Sequence, residues 1–126
     1  MSHANVLIVE DEPRIAGFLA KGLRRQGYEV RCAYTGAEAI ELAGDETRGP
    51  AIDLVVLDLG LPDIDGLDVM RTLRERGSEV PILVLTARTE ASDRAEAFRL
   101  GAVEYLAKPQ PFPNFLDRVR ASLSAD

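Results

Sequence analysis

Three short runs of the chain are continuously apolar: residues 6–9, 54–57 and 82–85. Each has the length of a strand and is far too short to span a bilayer. Strands that are buried on both faces have this composition, so the runs predict the middle of a parallel sheet covered by helices. Two further segments, 28–33 and 103–107, mix polar and apolar residues and are predicted to be strands nearer the edges.

The segments between these strands carry apolar residues at three- and four-residue steps, which predicts five helices. Pro13 suits the first turn of the first helix, and Gly27 is predicted to end it. The first helix is marked by Ile15, Phe18, Leu19 and Leu23, and the second by a capping box of Thr35 and Glu38 before Ile40 and Leu42. The third is marked by Leu67, Met70 and Leu73 before Gly77, and the fourth runs from about Glu90 to Leu100 before Gly101. The fifth has Pro113 in its first turn and Phe112, Phe115, Leu116, Val119 and Leu123 on one face.

Strand and helix therefore alternate five times. Right-handed crossovers between parallel strands place helices on both faces of a sheet, here two on one face and three on the other. The sequence predicts an α/β fold with a doubly wound, five-stranded parallel sheet. The polar stretch 44–50 is predicted to be a surface loop, and residues 1–126 are predicted to form one domain.

Composition narrows the function. The net charge of −6 argues against a nucleic-acid-binding surface, which needs clustered Lys and Arg. The single cysteine, Cys32, cannot form an internal disulfide, so a reducing compartment fits. The first residues lack the basic start and apolar stretch of a signal peptide. We therefore expect a cytoplasmic protein that does not associate with membranes.

Polar residues follow the predicted strands at their carboxyl ends, where open α/β sheets bind ligands. These residues are Glu10 and Asp11 after the first strand, Asp58 after the third, Thr86 at the end of the fourth, and Lys108 after the fifth. Clustered carboxylates suit Mg²⁺, and an ionised Asp can attack phosphorus. A Lys and a hydroxyl can then stabilise the transferred phosphoryl oxygens. The set predicts phosphoryl transfer onto an aspartate.

Each residue also has a simpler interpretation. Asp11 could cap the first helix, Thr86 could cap the fourth, and Lys108 could be an ordinary surface lysine. Taken alone, Asp58 could be a solvated loop acid, and Tyr105 could be a packing residue of an edge strand. Asp63 and Asp65 are interpreted as turn formers around Pro62 and Gly66, and His3 is given no role. The joint placement of the acids, Thr86 and Lys108 at strand ends favours the functional interpretation.

Four stretches resemble the response-regulator receiver family, and the resemblance covers essentially the whole chain: residues 9–12, 57–66, 85–87 and 101–109. It implies a flavodoxin-like (βα)5 fold with strand order 2-1-3-4-5. It also implies a phosphorylation switch rather than a metabolic enzyme. The implied donor is the phosphohistidine of a sensor histidine kinase or phosphotransfer protein.

The resemblance implies roles for individual residues. They are Asp58 as phosphoacceptor; Asp11, Asp58 and the Gly60 carbonyl as ligands of Mg²⁺ or Mn²⁺, with Glu10 acting through water; Lys108 and Thr86 on phosphoryl oxygens; Ala87 leaving room for the phosphoryl group; Tyr105 turning inward as Thr86 moves; and Pro109 after a cis peptide bond. The surface formed by the fourth helix, fifth strand and fifth helix is then expected to change.

The pattern is closest to receivers of the winged-helix DNA-binding subfamily, which implies a transcriptional output and a receiver that itself binds no nucleic acid. That subfamily dimerises through ion pairs on the same surface, represented here by Arg94, Glu104 and Arg118. Asn114 stands where an acidic partner of Arg94 is expected, so we expect a weakened or differently paired dimer. The fifth helix favours a receiver that precedes a DNA-binding domain.

Gly60 and Arg88 occupy the two positions that tune access of the hydrolytic water in the family. Neither is a water-positioning amide or acid, so slow loss of the phosphoryl group is predicted.

A haloacid-dehalogenase-type phosphatase would need an acid at position 60. Nucleotide binding would need a Gly-rich phosphate loop, which the sequence lacks. A pseudo-receiver that only docks onto partners would not need the acids, Thr86 and Lys108.

Overall fold

Five strands and five helices alternate along the chain in the computed structural model, which describes residues 3–44 and 49–124. The elements are β1 (Asn5–Val9), α1 (Pro13–Arg25), β2 (Glu29–Ala33), α2 (Gly36–Gly44), β3 (Leu54–Leu57), α3 (Gly66–Glu75), β4 (Ile82–Thr86), α4 (Ala91–Arg99), β5 (Ala102–Ala107) and α5 (Phe112–Ser124). The predicted alternation is confirmed. Of the predicted loop 44–50, residues 45–48 lie outside the described residues.

The five strands form one parallel sheet in the order β2-β1-β3-β4-β5, as the resemblance implies. Val9 at the end of β1 lies beside Leu57 at the end of β3. The N–H of the following residue, Asp58, donates to the Val9 carbonyl at 3.0 Å. At the ends of β4 and β5, the Lys108 N–H donates to the Thr86 carbonyl at 2.9 Å. The register therefore brings the ends of the strands to one edge.

Two apolar clusters fill the space between the sheet and the helices. One joins the sheet to α1 and α5, and the other joins it to α2, α3 and α4, so the predicted division into two and three helices is confirmed. The largest fully buried side chain is that of Phe115 in α5. In the central strands β1, β3 and β4 nearly every residue is buried, as their continuous apolar runs predict.

The apolar stripe of α1 is only half buried. Leu19 and Leu23 pack against the sheet, but Ile15 is 37% exposed and Phe18 is 63% exposed. The buried face is completed by small residues, Ala16 among them, which let the helix backbone approach the sheet closely. Phe18 lies at the margin of this face and packs edge-on against Phe112 of α5, with ring centroids 5.9 Å apart.

The helix ends agree largely with the sequence signals. Thr35 accepts a hydrogen bond from the Glu38 N–H at 3.1 Å. The Glu38 carboxylate accepts from the N–H of Tyr34 at 2.8 Å, one residue earlier than in a standard capping box. Gly27 follows α1 with a φ of 95°, a conformation that favours glycine. Within the two described ranges, no helix combines the length and apolar character needed to cross a membrane.

Candidate functional site

Three carboxylates meet at the carboxyl edge of the sheet. One oxygen from each of Glu10, Asp11 and Asp58 lies within 4.8 Å of the others. Glu10 and Asp58 are buried, whereas Asp11 is partly exposed. Hard oxygen donors at this spacing suit a divalent cation such as Mg²⁺. The alternative role of Asp11 as a helix cap is not observed, because Glu12 is the residue at the N-terminus of α1.

Lys108 reaches into this cluster from the opposite side of the site. Its ammonium donates to Asp58 Oδ2 at 2.8 Å and also pairs closely with Glu10 Oε1. The peptide bond between Lys108 and Pro109 is cis, as the resemblance implies. Lys108 is thus partly buried and forms salt bridges with two carboxylates, so the alternative of an ordinary surface lysine is wrong.

Main-chain donors and a hydroxyl complete the surroundings of the acids. The Gly60 N–H donates to Asp58 Oδ1 at 3.1 Å. Glu10 Oε2 accepts from the Glu12 N–H at 3.0 Å. Thr86 is 1% exposed, and its hydroxyl helps to lower the pKa of the Asp58 carboxyl, which favours the ionised form. The interpretation of Asp58 as a solvated loop acid is therefore wrong.

The electrostatics of the three central groups follow from burial and pairing. Burial acts to raise the pKa of the Asp58 carboxyl, but hydrogen bonds from Lys108 and Gly60 outweigh it and hold the pKa below its ordinary value. Burial raises the pKa of the Glu10 carboxyl, and the hydrogen bond from Lys108 offsets this only in part. Burial would lower the pKa of Lys108, but its two carboxylate partners raise it. Asp58 and Lys108 are therefore both ionised at neutral pH.

Comparison with known proteins places these features in a family. Residues 6–120 match the family model described as the response regulator receiver domain. The chain belongs to this family. It is a receiver domain of two-component response regulators, a class of signalling proteins. Receiver domains bind Mg²⁺ at an acidic pocket and are phosphorylated by histidine kinases.

Relatives of this receiver domain include transcriptional regulators, as the subfamily resemblance predicts. It is 42% identical over 118 residues to the transcriptional regulatory protein KdpE of Mycobacterium tuberculosis, covering 94% of this chain and 50% of that protein. It is 40% identical over 123 residues to the transcriptional regulatory protein PrrA of Mycobacterium leprae, covering 98% and 51%. The chain thus spans about half the length of the curated relatives it matches.

Solved receiver structures share the fold. The non-phosphorylated HemR receiver domain from Leptospira biflexa superposes with a TM-score of 0.88 at 36% identity, covering 98% of this chain and 96% of that one. A putative response regulator from Chloroflexus aurantiacus superposes with a TM-score of 0.85 at 34% identity, covering 98% and 100%. The five-stranded receiver architecture is therefore confirmed.

The two predicted switch residues of the receiver meet at the main chain of Arg88. The Arg88 N–H donates to Thr86 Oγ1 at 3.3 Å, and the Tyr105 hydroxyl donates to the Arg88 carbonyl at 2.9 Å. Tyr105 is only 9% exposed, so its ring already lies inward in this structure. Thr86 does not cap α4, because Glu90 is the residue at the N-terminus of that helix.

Sequence reasoning assigned Asp63 and Asp65 only to a turn, but each of them caps a helix. Asp63 accepts from the N–H groups of Gly36 and Ala37 at 2.7 and 3.0 Å and so caps α2 from another loop. Asp65 caps α3 by accepting from the Leu67 N–H at 3.0 Å. For Asp65 the local signal is a short acid next to a helix start, which also fits a turn, whereas no local signal links Asp63 to α2.

Arg88 forms a side-chain cluster that sequence reasoning missed. Its guanidinium pairs with Asp65 and, through two nitrogens at 3.1 Å each, with both carboxylate oxygens of Asp93 in α4. Hydrogen bonds to Asp93 and Asp65 raise the pKa of the Arg88 guanidinium further above its ordinary value. Arg88 is therefore held as a cation between the β3–α3 loop and α4.

The residues predicted to form a dimer surface lie on α4, β5 and α5 of this receiver domain. Arg118 and Glu104 pair within the chain at 3.6 Å. The Arg94 guanidinium lies over the rings of Phe98 and Tyr105, at 5.2 and 5.6 Å from their centroids.

Ala87 lies in a different part of the receiver, beside the predicted phosphorylation site. It lines a mostly apolar cavity of about 460 Å³ together with Lys108 and Pro109. Its side chain is the smallest that carries a Cβ, which agrees with the predicted role of leaving room for a phosphoryl group.

Proposed function

We propose that Asp58 is the residue of this receiver domain that accepts a phosphoryl group. The observation that carries the proposal is the state of its carboxylate, which is buried, ionised and in contact with the Lys108 ammonium at 2.8 Å. Burial removes the hydration that would weaken a nucleophile, and Lys108 supplies a positive charge where phosphoryl oxygens would develop negative charge. An acid with a purely structural role would not need both.

The acidic cluster would hold Mg²⁺ or Mn²⁺ through Asp11, Asp58 and the carbonyl of Gly60, with Glu10 acting through water. The donor set supports this assignment, because the three carboxylates and the ammonium of Lys108, which pairs with two of them, carry a net charge of minus two when all are ionised. A divalent cation would cancel that charge. Such a cation also polarises a bound phosphoryl group and shields it from the approaching carboxylate.

The transfer step needs only groups already described and a phosphorylated donor. An oxygen of the Asp58 carboxylate attacks phosphorus and forms a new P–O bond. In a phosphohistidine donor the P–N bond breaks, and its electron pair leaves with the imidazole nitrogen. Lys108 and Thr86 hydrogen-bond the phosphoryl oxygens, and Ala87 leaves space beside them. With a proton already on the other ring nitrogen of the donor, the products are an acyl phosphate on Asp58 and a neutral histidine on the donor.

Intact-mass measurement after incubation with Mg²⁺ and acetyl phosphate tests this proposal. We expect the wild-type chain to gain one phosphoryl group and the Asp58→Asn variant to gain none. Asp63→Asn is a matched control in the same loop, because the asparagine oxygen can still accept one of the two hydrogen bonds that cap α2. The control should be phosphorylated normally. Catalytic consumption of acetyl phosphate without a mass gain would indicate a phosphatase, and no reaction would indicate a docking module.

The lifetime of the acyl phosphate is proposed to be long. Gly60 has no side chain to orient water, and the Arg88 guanidinium is engaged by Asp65 and Asp93. Neither residue can therefore activate a hydrolytic water beside Asp58. The decay of the phosphorylated mass in Mg²⁺ after removal of the donor should take much longer than seconds. Loss within seconds would contradict this part of the proposal.

The signalling context is proposed from the family. Residues 1–126 would form one cytoplasmic receiver domain that is phosphorylated by a histidine kinase or phosphotransfer protein and controls transcription. Phosphorylation would alter the surface of α4, β5 and α5 and favour a homodimer. Arg118 and Glu104 pair within the chain, so the dimer would have to exchange this contact for one between chains. Sedimentation of the wild type and Arg118→Ala, with and without acetyl phosphate, tests the dimer.

A further inference from the structure

The side chain of Arg88 links its own loop, between β4 and α4, to the β3–α3 loop and to α4. Arg88 lies in the loop between β4 and α4, two residues after Thr86. Its guanidinium pairs with Asp65, which also caps α3, and grips both carboxylate oxygens of Asp93 in the first turn of α4. A planar guanidinium can bridge two carboxylates in this way because its donors point in fixed directions.

The main chain of the same residue holds both switch residues. The Arg88 N–H donates to the Thr86 hydroxyl, and the Arg88 carbonyl accepts from the Tyr105 hydroxyl. The Tyr105 ring lies 6.5 Å from that of Phe98 and is almost fully buried. A buried phenol needs a hydrogen-bond partner, so the inward position of Tyr105 depends on where the Arg88 carbonyl lies.

We propose that Arg88 is a positioning residue of the switch, whose ion pairs with Asp65 and Asp93 hold the β4–α4 loop so that Tyr105 lies inward before any phosphorylation. The inward position of Tyr105 then exists before phosphorylation, and phosphorylation of Asp58 needs only a small movement of this loop. The inference rests on the proposed function of Asp58 and Thr86. Its conformational part is independent, because it concerns the unphosphorylated chain.

Loss of the ion pairs should release Tyr105. In Arg88→Ala the loop keeps its main-chain groups but loses its attachment to Asp65 and Asp93. The carbonyl at position 88 can then move away, and Tyr105 can turn outward to hydrogen-bond with water. If the inward population falls to about a fifth, phosphorylation by acetyl phosphate slows about fivefold, because only the competent fraction reacts.

Fluorine NMR of chains grown with 3-fluorotyrosine measures the position of Tyr105 directly. The protein contains three tyrosines, so Tyr105→Phe assigns the resonance. A soluble gadolinium chelate should broaden this resonance weakly in the wild type and strongly in Arg88→Ala. Asp93→Asn, which removes charge with little change of volume, should act in the same direction. In Arg88→Lys the broadening of the Tyr105 resonance should lie between those of the wild type and Arg88→Ala. Lysine keeps the positive charge but lacks the paired donors of a guanidinium.

Arg71 provides a matched control. It also bridges two acids, Asp68 in its own helix and Glu96 in α4, but no hydrogen bond joins it to Thr86 or Tyr105 among the described residues. Arg71→Ala should therefore lower stability slightly and leave the Tyr105 resonance protected. A purely structural role of Arg88 would make the two variants alike.

Three results would overturn the inference. They are an exposed Tyr105 in the unphosphorylated wild type, a protected Tyr105 in Arg88→Ala, and equal exposure in Arg71→Ala. An exposed Tyr105 with an unchanged phosphorylation rate in Arg88→Ala would overturn the link to phosphorylation. Failure of the proposed function is recognised separately, because Asp58 would then gain no phosphoryl mass while the tyrosine resonances still respond to Arg88.

Discussion

Gly66 offers the sharpest test of how the fold positions Asp58. It opens α3 directly after the loop that carries Asp58, and its N–H donates to the Leu59 carbonyl at 2.8 Å. A Cβ added at Gly66 would lie 2.5 Å from the Leu59 Cα and 2.8 Å from the Asp58 carbonyl oxygen. Both are main-chain atoms, which cannot rotate away as a side chain can. Gly66→Ala must therefore shift α3 or the main chain of Asp58.

The size of the effect follows from two opposing contributions. Overpacking of a well-packed site typically costs about 1–3 kcal/mol. The clash here involves main-chain atoms, so we expect the upper half of that range. Alanine recovers part of this, up to about 1 kcal/mol, through its higher helix propensity. The net prediction is a free energy of unfolding about 2 kcal/mol lower, which corresponds to a Tm roughly 6–10 °C lower for a chain of this length.

Urea and thermal unfolding of three alanine variants measure this directly. At Gly17, exposed in α1, an added Cβ would meet nothing within 4 Å, so Gly17→Ala should raise stability by about 0.5–1 kcal/mol. Gly60→Ala places a Cβ 3.9 Å from Asp58 Oδ1, an ordinary contact, and should be nearly neutral. Gly66→Ala should also slow phosphorylation of Asp58. Wild-type stability of Gly66→Ala would refute the reasoning.

Three further predictions concern charged groups. Lys108→Ala should slow phosphorylation by acetyl phosphate ~100-fold, because a donor to the phosphoryl oxygens is lost. Intact-mass measurements over time give this rate. The pKa of Asp58 is held below its ordinary 3.8, so its ionised form stabilises the fold above that pH, and this stability is lost as pH falls through the lower folded value. The stability difference between wild type and Asp58→Asn should therefore shrink below about pH 4 in urea titrations. Arg74→Ala should lower the free energy of unfolding by about 1–3 kcal/mol, because Arg74 donates to the carbonyls of Ser78, Val80 and Leu100 that would be left unpaired.

The sheet and most of the candidate site could be predicted because both depend on short-range information. A continuous apolar run marks a buried strand, and the residue that follows it must lie at the carboxyl edge. Parallel register then brings Asp58 beside Glu10 without any knowledge of the helices. For this reason the acids, Thr86 and Lys108 could be grouped from the sequence, and the structure places them together.

Contacts between loops could not be predicted in the same way. Asp63 caps a helix 27 residues earlier in the chain, and Arg88 pairs with an acid 23 residues away. Arg88 has other acids close to it in sequence, such as Glu90, and Asp63 could equally accept hydrogen bonds within its own turn. Only the folded distances select the partners. The exposure of Phe18 has a similar cause, because helical spacing gives a face but not the position of its margin.

These two kinds of information correspond to two parts of the mechanism. The proposed nucleophile, Asp58, is fixed by main-chain hydrogen bonds of the sheet, such as that from its N–H to the Val9 carbonyl, which depend little on side-chain identity. The proposed switch depends on side chains in loops, above all on the Arg88 guanidinium, which pairs with Asp65 and Asp93. A change at Arg88 should therefore alter how readily the receiver switches while leaving Asp58 in place. A change at Gly66 alters the main chain beneath Asp58 and should affect both.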